Sequence, residues 1–407
     1  MKPISMSHRA SLGVLSIAVV LLCAACGGDG DGTGAGAGAA NSVMSTTSVQ
    51  QSGADAINWK YDSVSAGQND QVNLIDDDGV NRSFYVSFSK QYDSSATHKL
   101  VVVFPGTDTT GQEMQAWLGA GWAKTGTEPR NGIEYYMTNT VFVYPDALIR
   151  EFPGYAADDR NSTAPWKGRG WLLGDNGTED RPVVDGNTEA AGNADIHFIQ
   201  QLIPGLQKKF GVSDKNVFVT GHSWGGDMAA VMTCYLGKDV GGSAPVAANK
   251  PYWFYDQTTV VDANLTGVPI ACPTHGTPVW TWFGNDDEHF AGPERDDADL
   301  VGEKPAGYYG RMQYKFWKFD RFGDPAASPN CKDGPLVIDS SNPSDVGSSK
   351  THKQTSVVAQ GCPNASIVRL TSYDKDYSGN GDTPGHYPPD YFGREVAGWF
   401  NSLATSN

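Results

Sequence analysis

The sequence predicts an α/β fold: a mostly parallel central sheet with helices on both faces, in one domain with insertions near its active site. Three observations predict it. Short apolar, β-branched runs alternate with longer stretches of helical period. One such run turns into a helix through a serine flanked by glycines. After about residue 57 no repeat and no second linker interrupts the chain.

The strands are read from runs bounded by turn residues: Phe84–Phe88, Leu100–Phe104, Val141–Tyr144, Val217–Thr220, Ala244–Ala247, Val279–Phe283 and Ile367–Leu370. Continuous apolar runs of this kind suit strands covered on both faces. Three stretches read as helices. Asp195–Phe210 places Ile196, Phe198, Ile199, Leu202, Ile203 and Leu206 at helical spacing. Gly226–Leu236 and Asp390–Leu403 are the others. Two segments rich in Asp, Gly and Pro, about Arg150–Thr188 and about Glu288–Gly307, lack a clear period and read as insertions over the site.

The beginning of the chain has a different character. Lys2 and Arg9 precede an apolar run from Leu12 to Leu22, of export-signal length and too short to span a bilayer. Ala24-Ala25-Cys26-Gly27 follows and resembles a bacterial lipobox. That resemblance implies cleavage before Cys26, lipidation of Cys26 and anchoring to the outer membrane; an ordinary signal peptide is the alternative. Residues 1–26 are thus read as a signal segment. Residues 27–56 are small and polar, cannot bury a core, and read as a flexible tether. Residues 57–407 form the globular domain.

The 407 residues carry 30 Lys and Arg against 46 Asp and Glu, a formal net charge of −16. Such a surface is repelled by nucleic acid and anionic lipid headgroups, so nucleic-acid partners are excluded. Of six cysteines, Cys23 and Cys26 fall in the export segment. Cys234, Cys272, Cys331 and Cys362 remain, an even set that reads as two disulfides in an oxidising compartment. Among these four, no Cys-x-x-Cys pair or suitably spaced His supports a metal site, and no cofactor is called for. Asp374–Asp382 resembles the start of a calcium loop but lacks the closing Glu, and reads as a polar loop.

The sharpest motif is Gly221-His222-Ser223-Trp224-Gly225-Gly226, preceded by the strand Val217–Thr220 and followed by a helix. A sharp strand-to-helix turn thrusts Ser223 out at a helix N-terminus, where the dipole favours developing negative charge. A serine hydroxyl needs a base to take its proton. In this architecture acid and base follow the serine in the chain. His289, His352 and His386 are the candidates; His386, in the rigid Pro384–Pro389 loop before the last helix, is favoured, and His352 reads as solvated loop. The acid should end a strand, and Val279–Phe283 runs into Gly284-Asn285-Asp286-Asp287-Glu288. Asp287 is favoured and Asp286 is the alternative. An oxyanion hole needs two backbone N–H groups. Trp224 supplies one, and Thr107, after Pro105-Gly106, is placed to supply the other.

From about Val80 onward these residues resemble the poly(3-hydroxybutyrate) depolymerase and feruloyl esterase group of secreted α/β-hydrolases. The resemblance rests on Leu100–Gly106, Asp195–Leu206, Val217–Met228, Gly284–Asp287, Cys331 with Cys362, and Gly385-His386 before the final helix. It implies an α/β-hydrolase fold and a Ser223, Asp287, His386 triad. It also implies a Cys331–Cys362 disulfide, which leaves Cys234 with Cys272. The chain has Pro105-Gly106 where the family usually has His-Gly, and a long acidic insertion follows the acid strand. The expected activity is ester hydrolysis through an acyl-enzyme, on a polyester or a hydroxycinnamoyl polysaccharide ester too large to import. Trp166, Trp171 and Trp253 are candidates to line the site or to fill the core. A serine peptidase of the same fold, or a polysaccharide-binding surface lipoprotein without catalysis, are the alternatives.

Overall fold

The computed structural model describes residues 65–121, 131–152, 166–173, 183–184, 187–188, 194–248, 277–285, 287, 308–318, 331–343, 351–362, 367–373 and 385–405. The chain divides into two units, Met1–Val49 and Gln50–Asn407, and every described residue lies in the second.

An eleven-stranded sheet organises the described residues. Its strands are β1 (Asn69–Ile75), β2 (Asn81–Phe88), β3 (Lys99–Phe104), β4 (Thr140–Pro145), β9 (Val217–His222), β10 (Gly242–Val246), β11 (Val279–Gly284), β12 (Lys332–Asp333), β13 (Val337–Pro343), β14 (Thr351–Gln360) and β15 (Val368–Tyr373). They lie in the order β1-β2-β4-β3-β9-β10-β11-β15-β14-β12, with β13 also paired to β14. Parallel pairing runs through six successive strands, from β4 to β15. Antiparallel pairing takes over at both edges, so the sheet is mixed and its parallel part is the centre.

Among the described residues five α-helices accompany the sheet: α1 (Gly111–Met114), α2 (Ala194–Phe210), α3 (Trp224–Leu236), α4 (Tyr308–Lys318) and α5 (Phe392–Leu403). Strand pleating sends alternate side chains to opposite faces. Leu100, Val102 and Phe104 join one core cluster with residues of α2, α3 and α4. Val101 and Val103 join the other with Met114, Leu118 and the buried face of α5. Both faces of the central strands are therefore covered, which is why their sequences are unbroken apolar runs.

The edges depart from the expectation. β1 and the β13–β14 hairpin have no counterpart among the predicted strands, and His352, read as a solvated loop, lies in β14. The β1 sequence, NDQVNLI, carries polar residues because an edge strand leaves one side to water; THKQTSVVAQ of β14 is polar although β15 and β13 pair with it on its two sides. Pairing with β15 satisfies the backbone of β14, and a Cys331–Cys362 disulfide staples the hairpin region. Cys234 is also disulfide-bonded; Cys272 lies outside the described residues. So do the signal segment with Cys26, the tether, Asp374–Asp382, the 288–307 insertion and Trp253. Among the described residues no helix is long and apolar enough to cross a membrane.

The 150–188 insertion contributes a small second sheet, β5 (Ile149–Phe152), β6 (Trp166–Arg169), β7 (Val183–Val184) and β8 (Asn187–Thr188). A buried charge cluster fixes it to the main body. Asp195, in the first turn of α2, accepts from Arg82 Nη1 at 2.7 Å, from Arg150 Nη1 and Nη2 at 2.9 Å each, and from the Leu172 N–H at 2.8 Å. Arg82 Nε donates to Asp76 at 2.8 Å. Burial pushes the Asp195 carboxyl up, but Arg150 and Arg82 outweigh it and hold it below its ordinary value of 3.8.

Glu134 shows the opposite balance. Burial raises its carboxyl above the ordinary 4.5, although Tyr144, Gln115 and Ser87 donate to it. The folded protein therefore keeps a proton that the unfolded chain has already released. The stability this gives is fully present below pH 4.5 and is lost as pH rises through the folded value. Glu134→Gln removes that loss. Urea midpoints should show the variant gaining on wild type as the pH climbs to neutrality; parallel pH profiles would refute this.

Candidate active site

β9 is buried throughout and ends at His222, where Ser223 takes φ 57° and ψ −125° as the N-cap of α3. A non-glycine residue at positive φ is strained, and the surroundings must hold it there. Three glycines make the turn possible. A Cβ on Gly221 would overlap the Gly225 carbonyl, one on Gly225 would overlap the Phe104 carbonyl, and one on Gly226 would press on the Val246 carbonyl. The Ser223 N–H donates to Val246 O at 3.0 Å, locking the turn to β10. Gly225→Ala should cost about 3 kcal/mol or more, because the obstruction is backbone and cannot rotate away. A urea midpoint close to wild type would contradict this.

Asp287 and His386 meet at the end of β11. His386 Nδ1 lies 2.9 Å from Asp287 Oδ2, and both side chains are buried. A carboxylate only accepts, so Nδ1–H is the donor. The two loops touch so closely that a Cβ on Gly284 would overlap the Gly385 carbonyl. Asn285 N–H donates to Tyr373 O at 2.8 Å, tying the acid turn to β15. Burial, and then the Asp287 charge, push the Tyr373 hydroxyl well above its ordinary value, so it stays protonated beside the carboxylate. Asp286 and His289, the alternatives, lie outside the described residues.

Ser223 is joined to this pair through its neighbour. His222 Nε2 lies 2.9 Å from the His386 carbonyl, and the two rings are 4.7 Å apart. His222 was not among the residues singled out in the sequence, although its place directly before the serine offered the clue.

The loop after β3 closes the other side. A Cβ on Gly106 would stand 3.4 Å from Ser223 Cβ, so this loop runs beside Ser223. Asp108, at φ 54°, donates its N–H to Arg169 O at 3.0 Å and accepts from the Arg169 N–H at 2.8 Å. Trp171 Nε1 donates to Pro105 O at 2.8 Å. The Thr107 N–H, by contrast, donates to no group among the described residues. Trp224 sits at the first position of α3.

Two aromatic walls flank the serine. Phe152 and Trp166 of the small sheet pack against the Trp224 ring, with centroids 4.9 and 6.1 Å away. Gly170 is needed there, because a Cβ would come within 2.7 Å of the Trp224 ring. Trp171 itself is core, 1% exposed. Trp117 meets His222 and Tyr387 edge-on, beside a cleft lined by Leu118, Pro388, Pro389 and Phe392 among others. Trp117 lies on a π-helical turn, Gln115–Gly119, a distortion often found at functional sites. Among the described residues no group of three His, Cys, Asp or Glu is placed to hold a metal ion.

No known family profile matches the chain, and no curated protein matches it. Several solved structures are similar to it. An acetyl xylan esterase from Aspergillus awamori is 15% identical, over 83% of this chain and all of that one, with a TM-score of 0.49. A protein named pOPH is 15% identical over 84% and 87% of the two chains, with a TM-score of 0.42. Arabidopsis thaliana SOBER1 is 13% identical over 75% and 99%, with a TM-score of 0.38.

Proposed function

We propose that the chain is an exported serine carboxylic-ester hydrolase of the α/β-hydrolase fold. The observation that carries the reading is the pairing of a buried Asp287–His386 couple with a strained serine at a helix N-terminus, bridged by His222. Asp287 fixes the imidazole tautomer and later stabilises the imidazolium. His386 Nε2 takes the Ser223 proton as Oγ attacks the ester carbonyl. The Thr107 and Trp224 N–H groups receive the oxyanion. The tetrahedral intermediate collapses, the alcohol leaves with the proton from His386, and an acyl-Ser223 remains. Water, deprotonated by His386, then attacks the acyl carbon and releases the acid.

The substrate we favour is a polyester of the poly(3-hydroxybutyrate) type or a hydroxycinnamoyl ester of a polysaccharide. Two aromatic walls beside the serine suit either an apolar or an aromatic acyl group, and the net charge disfavours polyanions. Export with anchoring at Cys26, and a Cys234–Cys272 disulfide, belong to the same reading.

The test is covalent. A fluorophosphonate should label the purified protein once, on the peptide carrying Ser223, and should abolish hydrolysis of p-nitrophenyl butyrate. Labelling elsewhere, or no turnover by folded protein, would refute the assignment.

A further inference from the structure

The reaction leaves one buried ring of the site without a task. His222 is 5% exposed and ends β9 directly before the nucleophile. Its Nε2 faces the His386 carbonyl at 2.9 Å. That oxygen can only accept, so His222 carries a proton on Nε2 and donates it. Packing holds the ring on several sides. Tyr387 stacks on it with centroids 5.0 Å apart and planes 21° apart. Trp117 meets it edge-on at 4.9 Å. A Cβ on Gly106 would lie 3.0 Å from the His222 carbonyl oxygen and 3.6 Å from Nδ1, so the oxyanion loop rests on the same residue.

We infer that His222 is the positioning residue for the catalytic base: it holds the main chain of His386 while Asp287 holds the side chain. The inference rests on the serine esterase reading. His386 sits on a loop, and its hydrogen bond to Asp287 at Nδ1 orients the ring without fixing the loop's main chain. Pro388 and Pro389 follow and have no N–H with which to anchor it. The tie from His222 to the His386 carbonyl fixes that main chain. Because His222 is covalently joined to Ser223, that tie also sets the separation of nucleophile and base through a single residue. Small misplacements of catalytic groups cost large factors in rate, so this tie should be visible in kcat.

Three substitutions separate positioning from packing. His222→Phe keeps a planar ring and loses the donor. His222→Gln can place its amide N–H near Nε2. His222→Asn is one methylene too short to do so. With p-nitrophenyl butyrate, His222→Phe and His222→Asn should lower kcat by about 10- to 100-fold, with KM changed by less than about threefold; His222→Gln should return to within about fivefold of wild type. A His222→Phe variant with wild-type kcat, or a His222→Gln variant as slow as His222→Phe at the same melting temperature, overturns the inference and leaves the esterase reading standing. A wild type inert toward esters overturns both. Should His222→Phe fail to fold, the imidazole ¹H–¹⁵N correlations of the wild type decide. The Nε2–H tautomer is expected for His222, and Nδ1–H overturns the inference.

Discussion

Ser223→Ala should lower kcat/KM for a short-chain p-nitrophenyl ester by roughly 10⁴- to 10⁶-fold, and His386→Ala by a similar factor. The two act as one unit: without the base the hydroxyl is hardly nucleophilic, and without the hydroxyl the base has nothing to activate. The double variant should therefore be no slower than either single one. Residual activity should survive in all three, because the oxyanion donors and the aromatic walls are untouched. The fold should also survive. The Ser223 N–H still donates to Val246 O, and alanine meets the same positive φ as serine. Additive losses in the double variant would show that the two residues serve separate steps.

Asp195→Asn should lower stability by about 3–5 kcal/mol, the usual cost of leaving buried charge uncompensated. The carboxylate accepts both Nη donors of Arg150 and one of Arg82, all of it away from water. An amide of the same shape keeps the volume but removes the charge that holds two guanidinium groups inside. The pH dependence has a definite sign. The folded carboxyl titrates below 3.8, so its contribution is present above that value and is lost as pH falls through the lower folded value. Urea midpoints of wild type and variant should therefore differ most near neutrality and converge in acid. A variant within 1 kcal/mol of wild type at neutral pH, on the scale of an ordinary surface change, would show that the cluster is not structural.

That substitution should also reach the site. Asp195 accepts from the Leu172 N–H, Arg150 donates to Gly170 O, and Trp171 donates to Pro105 O. The chain from α2 to the loop after β3 thus passes through three successive residues of the small sheet's neighbouring segment. Loss of stability in Asp195→Asn should come with a fall in kcat, because the loop that carries Thr107 loses its support.

The central strands of this protein are legible in its residues alone. Strands buried on both faces must be apolar along their whole length, so Leu100–Phe104, Val141–Tyr144 and Val217–Thr220 announced themselves. The serine turn was equally legible, because only glycine tolerates the carbonyls of Phe104 and Gly225 at such range. Asp287 and His386 could be narrowed to a strand end and a late loop, since the order of the chemistry follows the order of the chain. Long-range contacts settle the parts where the pattern is silent. β14 is a polar run without a regular apolar alternation, so its sequence reads as a loop until β15 and β13 pair with it. The Asp195 cluster joins residues from 76 to 195, and no local period marks which charges will meet inside. His222 shows the same limit at the site itself. Its neighbour in the chain is obvious, but its partner is a backbone carbonyl 164 residues away, and such a partner leaves no mark on the sequence because every residue has one.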